Sequence, residues 1–322
     1  MKLTDIATAD ALAATDRATS YYGQPAIKAP PWEWHVPTYL FVSALAGASQ
    51  LIGAIAAWFG GPNMRDAVRN ARYIAAGGAV TGAALLIADL KTPHRWYNML
   101  RILRPTSPMS IGTYTFGTFG LSSFVAALRE WRARQPGAAT SAQIPAALAS
   151  VGVTVYTAPL LSATSNPYWA AHPELRAAKY GSSAVQLAAS ALALLERAGN
   201  RGESARALEN LSVVATSVHA LVSLAAEKEL PTGRDRAESR ALALDRAAGV
   251  LSTVAPVVCY AVARLAPARG RQLSMAGSLC AIAGIALSKW SDFESGKRCA
   301  NDPQRYFRFA QPHPQAGEEI RV

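Results

Sequence analysis

Charge is scarce in this sequence. Asp, Glu, Lys and Arg make up 16% of its 322 residues, where a soluble domain carries about 25%. Acidic residues are the scarcer sign, 21 against 32 basic ones. There are three cysteines, Cys259, Cys280 and Cys299, far apart in the chain and with no CxxC. That excludes an iron–sulfur or zinc motif and a disulfide framework. Of the five histidines only His219 lies inside an apolar segment. His35, His94, His172 and His313 lie at ends, in a connection or in the tail. A facing pair of axial ligands for a b-type haem is therefore not expected, and His219 reads as a packed, hydrogen-bonded core residue. There is no glycine-rich nucleotide loop. No basic region leads into a short apolar run at the N-terminus, so no cleaved signal peptide is expected.

What is present is hydrocarbon: 51% of the residues are hydrophobic, and they come in long blocks, the pattern of a polytopic membrane protein. The blocks are Val36–Phe59, Tyr73–Leu90, Ile111–Leu128, Ile144–Leu161, Tyr180–Leu195, Leu211–Ala226, Ala247–Leu265 and Leu273–Trp290. The expected fold is all-α, a bundle of about eight transmembrane helices over residues 34–291. A polar N-terminal tail (1–33) and a polar C-terminal tail (292–322) flank it. The fifth and sixth blocks are the shortest and are flanked by charge. Glu227–Arg246 reads as a solvated loop or surface helix. The blocks are rich in Ala, Gly and Ser, which let helix backbones approach closely, and Pro159 and Pro256 should kink the fourth and seventh.

The net charge of +11 sits between the blocks, where it suits anionic lipid headgroups and topology rather than nucleic acid. Interior connections carry twelve basic residues on the side opposite the termini and eleven on the termini side. The twelve lie in shorter loops, so the count leans towards termini outside, which is periplasmic for a multi-pass protein of a bacterial inner membrane.

The stretch Leu86–Met109 is the most unusual. An apolar helix runs into Asp89, and a basic, aromatic connection follows with His94, Arg95, Trp96, Tyr97, Arg101 and Arg104, closing on Ser107-Pro108-Met109-Ser110. A carboxylate at the edge of a spanning helix is expensive. It reads either as a proton-exchanging group tuned by Arg95 or as a helix-end acid that reaches water or pairs with Arg95. The first block opens with Trp32-Glu33-Trp34-His35, and His35 and Tyr39 share a helix face at i, i+4. Alternating helix direction brings His35, Tyr39, Asp89, Arg95, Tyr114 and Tyr156 to one end of helices one to four. A His, a carboxylate and hydrogen-bonding aromatics suit a quinone headgroup, whose carbonyls need donors and whose hydroxyls need proton acceptors.

These stretches resemble the NrfD/PsrC family, the membrane subunits of polysulfide-reductase-like molybdoenzyme complexes. Carrying the likeness are Trp32-Glu33-Trp34 with Tyr39-Leu40-Phe41, Ala88-Asp89-Leu90 through Pro93-His94-Arg95-Trp96, and Ser107-Pro108-Met109-Ser110-Ile111-Gly112. Tyr156-Thr157-Ala158, Pro167-Tyr168-Trp169 and Gly296-Lys297 through Asp302-Pro303 complete it. The resemblance implies a menaquinone- or ubiquinone-reactive subunit with no haem or iron–sulfur cluster of its own. Its partners would be a four-cluster ferredoxin-like iron–sulfur subunit and, through it, a molybdopterin-type catalytic subunit. Tyr156 is the matching quinone donor, with His35, Tyr39 and Tyr114 beside it, and Asp89 and Arg95 match the helix-two pair. Arg101, Arg104, Ser107 and the C-terminal tail would dock the iron–sulfur subunit. The chain departs from the family in having Ala158-Pro159 where Gly often follows Tyr-Thr. Two rivals stand: a proton-coupled transporter or ion-conducting protein using Asp89, and a purely structural anchor or an assembly that couples quinone chemistry to proton pumping.

Overall fold

The structure, a computed structural model, describes residues 27–30, 32–133, 137, 141, 143–229, 239–301, 306 and 309–310, with the side chains of 227–229, 239–242 and 267 left aside. Among them the chain forms α1 (His35–Phe59), α2 (Arg65–Ala88), α3 (Pro108–Arg132), α4 (Gln143–Ser162), α5 (Pro173–Ala198), α6 (Gly202–Glu229), α7 and α8 (Gly270–Ala300). Helix α7 is three pieces end to end: Ser239–Gly249, a π turn over Val250–Val254, and Ala255–Leu265. Short 3₁₀ segments cover Pro62–Met64, Pro93–Arg101 and Pro267–Arg269, and a one-turn helix covers Pro167–Ala170. No strand occurs among the described residues.

Seven of the long helices are long and apolar enough to cross a membrane. The protein is a polytopic helical membrane bundle. The other long helix, α5, carries Glu174, Arg176, Lys179, Glu196 and Arg197 towards its ends. It is nonetheless central, packing on α1, α2, α4, α6 and α8. Its short apolar block Tyr180–Leu195 lies within 26 helical residues, because its charged ends find partners. Arg197 binds Glu209 at 2.7 Å, and Glu196 accepts from Arg201 at 2.8 Å and from Ser204 at 2.6 Å. Paired charge can extend a helix beyond its apolar block at the membrane surface. The same happens in α2, which begins at Arg65 rather than near Tyr73, with Arg69 paired to Asp66 and Arg72 to Glu130.

Small residues set the helix spacing. The main core cluster is dominated by alanine, with Ala44, Ala48, Ala67, Ala71, Ala184 and Ala188 among its members. A Cβ on Gly78 would stand 2.6 Å from the Ala46 methyl, so α1 and α2 could not approach as they do with a larger residue there. Large apolar side chains instead point outward, including Phe59, Val80, Leu121, Leu148 and Leu265, as a lipid-facing surface requires.

The two prolines behave differently. Pro159 lies three residues from the end of α4. Pro256 is the second residue after the π turn of α7, and its missing N–H leaves the Ser252 carbonyl without the donor an α-helix would supply. At the other end of the chain, α8 continues to Ala300 and so passes the expected boundary at 291. Asp292, Phe293, Gly296 and Cys299 are buried, because the Pro167–Ala170 turn packs over them. The remainder of the tail and residues 1–26 lie outside the described residues, apart from Tyr306 and 309–310.

Candidate functional site

The connection between α2 and α3 sits at the end of the bundle where α1 and α3 begin and α2 and α4 finish. Four hydroxyls tie it down. Ser107 caps α3, its Oγ accepting from the Ser110 N–H at 3.5 Å. Ser110 Oγ donates to the Ile102 carbonyl at 3.0 Å and accepts from the Arg104 N–H at 2.9 Å. Tyr114 donates to the Leu100 carbonyl at 2.8 Å. Tyr156, reaching across from α4, donates to the Pro108 carbonyl. Gly112 makes this crossing possible: a Cβ there would fall 2.0 Å from the Tyr156 ring.

Tyr39 lies next to this arrangement. It is buried in a cluster with Leu40, Ala158 and Leu161, edge-on to Phe116 at 5.8 Å between ring centres. Its hydroxyl is within electrostatic range of Tyr156. Tyr39, Tyr114 and Tyr156 therefore come to one end, as the alternating helices imply. His35 is half-buried at the entry of α1, its ring stacked on Trp34 at 4.1 Å. Asp89 forms the C-cap of α2 and is half-buried, and its carboxylate makes no hydrogen bond or ion pair among the described residues. Arg95 is exposed in the 3₁₀ segment, at the non-helical kink, and is not paired with Asp89. Arg101 and Arg104 are exposed too. Around them Trp96, Tyr97, Leu100, Ile102, Leu103 and Met109 also face outward, so the connection presents a surface both basic and apolar.

A second polar cluster adjoins this end and was not legible as a site. Asn166 Nδ2 donates to the Gly296 carbonyl at 2.7 Å while its Oδ1 accepts from the Tyr168 N–H at 3.0 Å. Tyr168 donates to Asp292 at 3.0 Å, and Lys179 reaches the same carboxylate at 3.3 Å. Arg176 donates to the Tyr168 carbonyl and lies 5.1 Å from that ring's centre. Burial first, then the Asp292 charge, pushes the Tyr168 phenol well above its usual range, so it stays a donor. A cleft of about 30 Å³, lined by Tyr168, His172, Arg176, Lys179 and Asp292, opens here. The wall beside it is aromatic, with Trp32, Trp169 and Phe293 mutually 5.7–6.1 Å apart. A Cβ on Gly296 would meet the Trp169 ring at 2.1 Å. The signal available in sequence was Lys289, a charge inside an apolar block, with Asp292 one turn beyond it.

Two stretches 130 residues apart in sequence, Asn166-Pro167-Tyr168-Trp169 and Asp292–Lys297, thus form one structural unit against the start of α1. The family profile described as polysulfide reductase, NrfD_2, matches residues 18–293, from before α1 into the last turns of α8. The chain belongs to the NrfD family. Comparison with curated proteins found no match. As an NrfD protein it is a membrane subunit of a respiratory oxidoreductase. Among the described residues, no three His, Cys, Asp or Glu side chains gather as metal ligands.

Proposed function

We propose that this NrfD protein is the quinone-reactive anchor of its complex, exchanging electrons with an iron–sulfur partner subunit and protons with the adjacent aqueous side. The observation that carries the reading is the convergence of Tyr39, Tyr114 and Tyr156 beneath a connection held by hydroxyl contacts. A quinone supplies two-electron, two-proton chemistry, and phenol donors suit its carbonyls. The residues fit that chemistry. Tyr156 lies over Gly112 with its hydroxyl lent to a backbone carbonyl, a bond a headgroup oxygen can replace. Tyr39 adds a second buried phenol, and His35 stands at the entry of the same helix. Asp89, half-buried and without an ion-pair partner, is the group to pass protons between this end and water.

The exposed face of Arg95, Arg101 and Arg104 with Trp96, Ile102 and Leu103 suits an acidic, partly apolar partner. A four-cluster ferredoxin-like subunit, itself joined to a molybdopterin-type catalytic subunit, is that partner in this reading. Menaquinone or ubiquinone is the lipid-soluble substrate. The location is a bacterial inner membrane with both termini periplasmic, which puts the docking face outside.

The test is quinone-linked turnover of the purified complex carrying Tyr156→Phe or Asp89→Asn. Each variant is expected to assemble with its partners, and turnover is expected to fall about 10²-fold or more where a positioned proton-transfer group is lost. Full turnover in both assembled variants would reject the site and favour a structural anchor.

A further inference from the structure

Helices α5–α8 enclose a second polar feature, remote from Tyr156, that the quinone reading does not use. On α5, Lys179, Ser183, Gln186, Ser190 and Arg197 recur at steps of three, four and seven, so they form one stripe along the helix. Lys179 and Arg197 are about 27 Å apart along the axis at ~1.5 Å per residue, close to the ~30 Å hydrocarbon core. Helix α6 faces this stripe with Glu209, Ser212, Thr216 and His219, and α8 with Ser274, Ser278, Lys289 and Asp292. Every one of these eight side chains is buried, as are Ser183, Gln186 and Ser190.

Polar groups recur at four levels between the two ends. Beside the Tyr168–Asp292 cleft, Lys289 Nζ donates to Ser183 Oγ at 3.2 Å and lies 3.4 Å from the Tyr180 ring centre. One turn deeper, Gln186 Oε1 is a buried acceptor with no protein partner, the kind of atom that water satisfies. At mid-bundle the Ser190 and Ser212 hydroxyls are 2.9 Å apart, and Tyr260 and Ser278 are 3.0 Å apart. At the far end Ser274 donates to Glu209, which Arg197 grips at 2.7 and 3.0 Å. Charged and titratable groups face Lys289 from each packed element: Asp292 on its own helix, Lys179 and Arg176 on α5, His219 on α6, and Asp245 on α7 beyond Asp292.

A structural hydrogen bond to Ser183 does not require a lysine. Placing an ammonium inside a spanning helix is costly, and such residues mark ion and proton routes. A buried amine loses and regains its proton readily. Hydroxyls both accept and donate, so a row of them can hand a proton along. We propose that α5–α8 form a proton path across the membrane, from the Tyr168–Asp292 cleft to the Arg197–Glu209 end, with Lys289 as its proton-exchanging group. A proton entering at the cleft binds the Lys289 amine. The resulting ammonium releases it towards Ser183 and a water held at the buried Gln186 Oε1, and the Ser190–Ser212 and Tyr260–Ser278 hydroxyls carry it on to Glu209 at the far end. One positive charge crosses per event and no electron moves.

The idea does not rest on the quinone assignment, and its test contains no quinone. The purified full-length chain is reconstituted into phosphatidylcholine vesicles holding a pH-sensitive dye. A potassium gradient with valinomycin then makes the interior negative. Wild-type vesicles should acidify at least about tenfold faster than protein-free ones, and Lys289→Met and Tyr260→Phe should each remove at least about tenfold of that rate. Ser217→Ala, at an exposed hydroxyl on α6 outside the stripe, should conduct as wild type. Tyr260→Phe deletes one oxygen and keeps the ring, and reconstituted amounts and melting temperatures verify that each variant is folded. Wild-type flux at the protein-free level overturns the proposal. So does undiminished flux in Tyr260→Phe, and undiminished flux in Lys289→Met removes Lys289 as the carrier.

Discussion

Gln186 on α5 donates its side-chain N–H to the carbonyl of Ser252 on α7, the carbonyl that Pro256 leaves without a helical donor. Both side chains are buried. An unpaired carbonyl there would cost about 1–3 kcal/mol. Gln186→Leu should destabilise the protein by that amount in thermal unfolding followed by circular dichroism. In a Pro256→Ala background residue 256 regains an N–H, and the same substitution should cost less. Identical penalties in the two backgrounds would show that Gln186 does not replace the missing donor.

Arg72 and Glu130 form a buried pair between α2 and α3, with side-chain exposures of 2% and 0%. Gln143 accepts from Arg72 at 2.7 Å, and the Gly137 N–H donates to Glu130 at 2.9 Å. Removing one member strands the other's charge. Glu130→Ala is expected to cost about 3–5 kcal/mol, while Arg72→Met combined with Glu130→Leu should cost far less. Melting temperatures of the single and double variants in one detergent check this. A double variant no more stable than Glu130→Ala would contradict it.

Gly296 meets the Trp169 ring, whereas Gly117 has no heavy atom within 4 Å of an added Cβ. Overpacking costs about 1–3 kcal/mol. Gly296→Ala should therefore lower the unfolding midpoint, and Gly117→Ala should leave it unchanged or raise it through better helix propensity. Equal midpoints would mean that the Trp169 wall yields freely.

Tyr156 is one of the hydroxyls that hold the α2–α3 connection. A hydrogen bond of about 1 kcal/mol corresponds to roughly fivefold in local opening. Limited trypsin digestion of Tyr156→Phe should cut after the exposed Arg101 about fivefold faster than in wild type. An unchanged rate would mean that Ser110 and Tyr114 suffice.

The helical layout was legible because hydrocarbon blocks separated by Pro, Gly and charge admit little else in a bilayer. The eight blocks lie within the eight helical elements apart from Asp89 and Leu90, and the family likeness lay in motifs that can be read off the chain. The convergence of Tyr39, Tyr114 and Tyr156 followed from helix direction alone. Pairing did not. Asp89 and Arg95 are near in sequence and remain apart, because the chain kinks at Arg95 after α2 has ended. The charged ends of α5 obscured its central position, since their partners, Glu209 and Arg201, come from its neighbour and from the turn beyond it.

By itself, then, the sequence determined a membrane bundle, its family and the end where aromatic and basic residues gather. Period and apolar length are local properties, so the chain states them directly. Only the tertiary structure decided that Asn166 meets Gly296, that Gln186 answers Pro256, and that serines on three helices line up with Lys289. Those relations depend on which helix faces meet and at what height. That is set by small residues that permit close approach and by buried polar groups that must each find a partner.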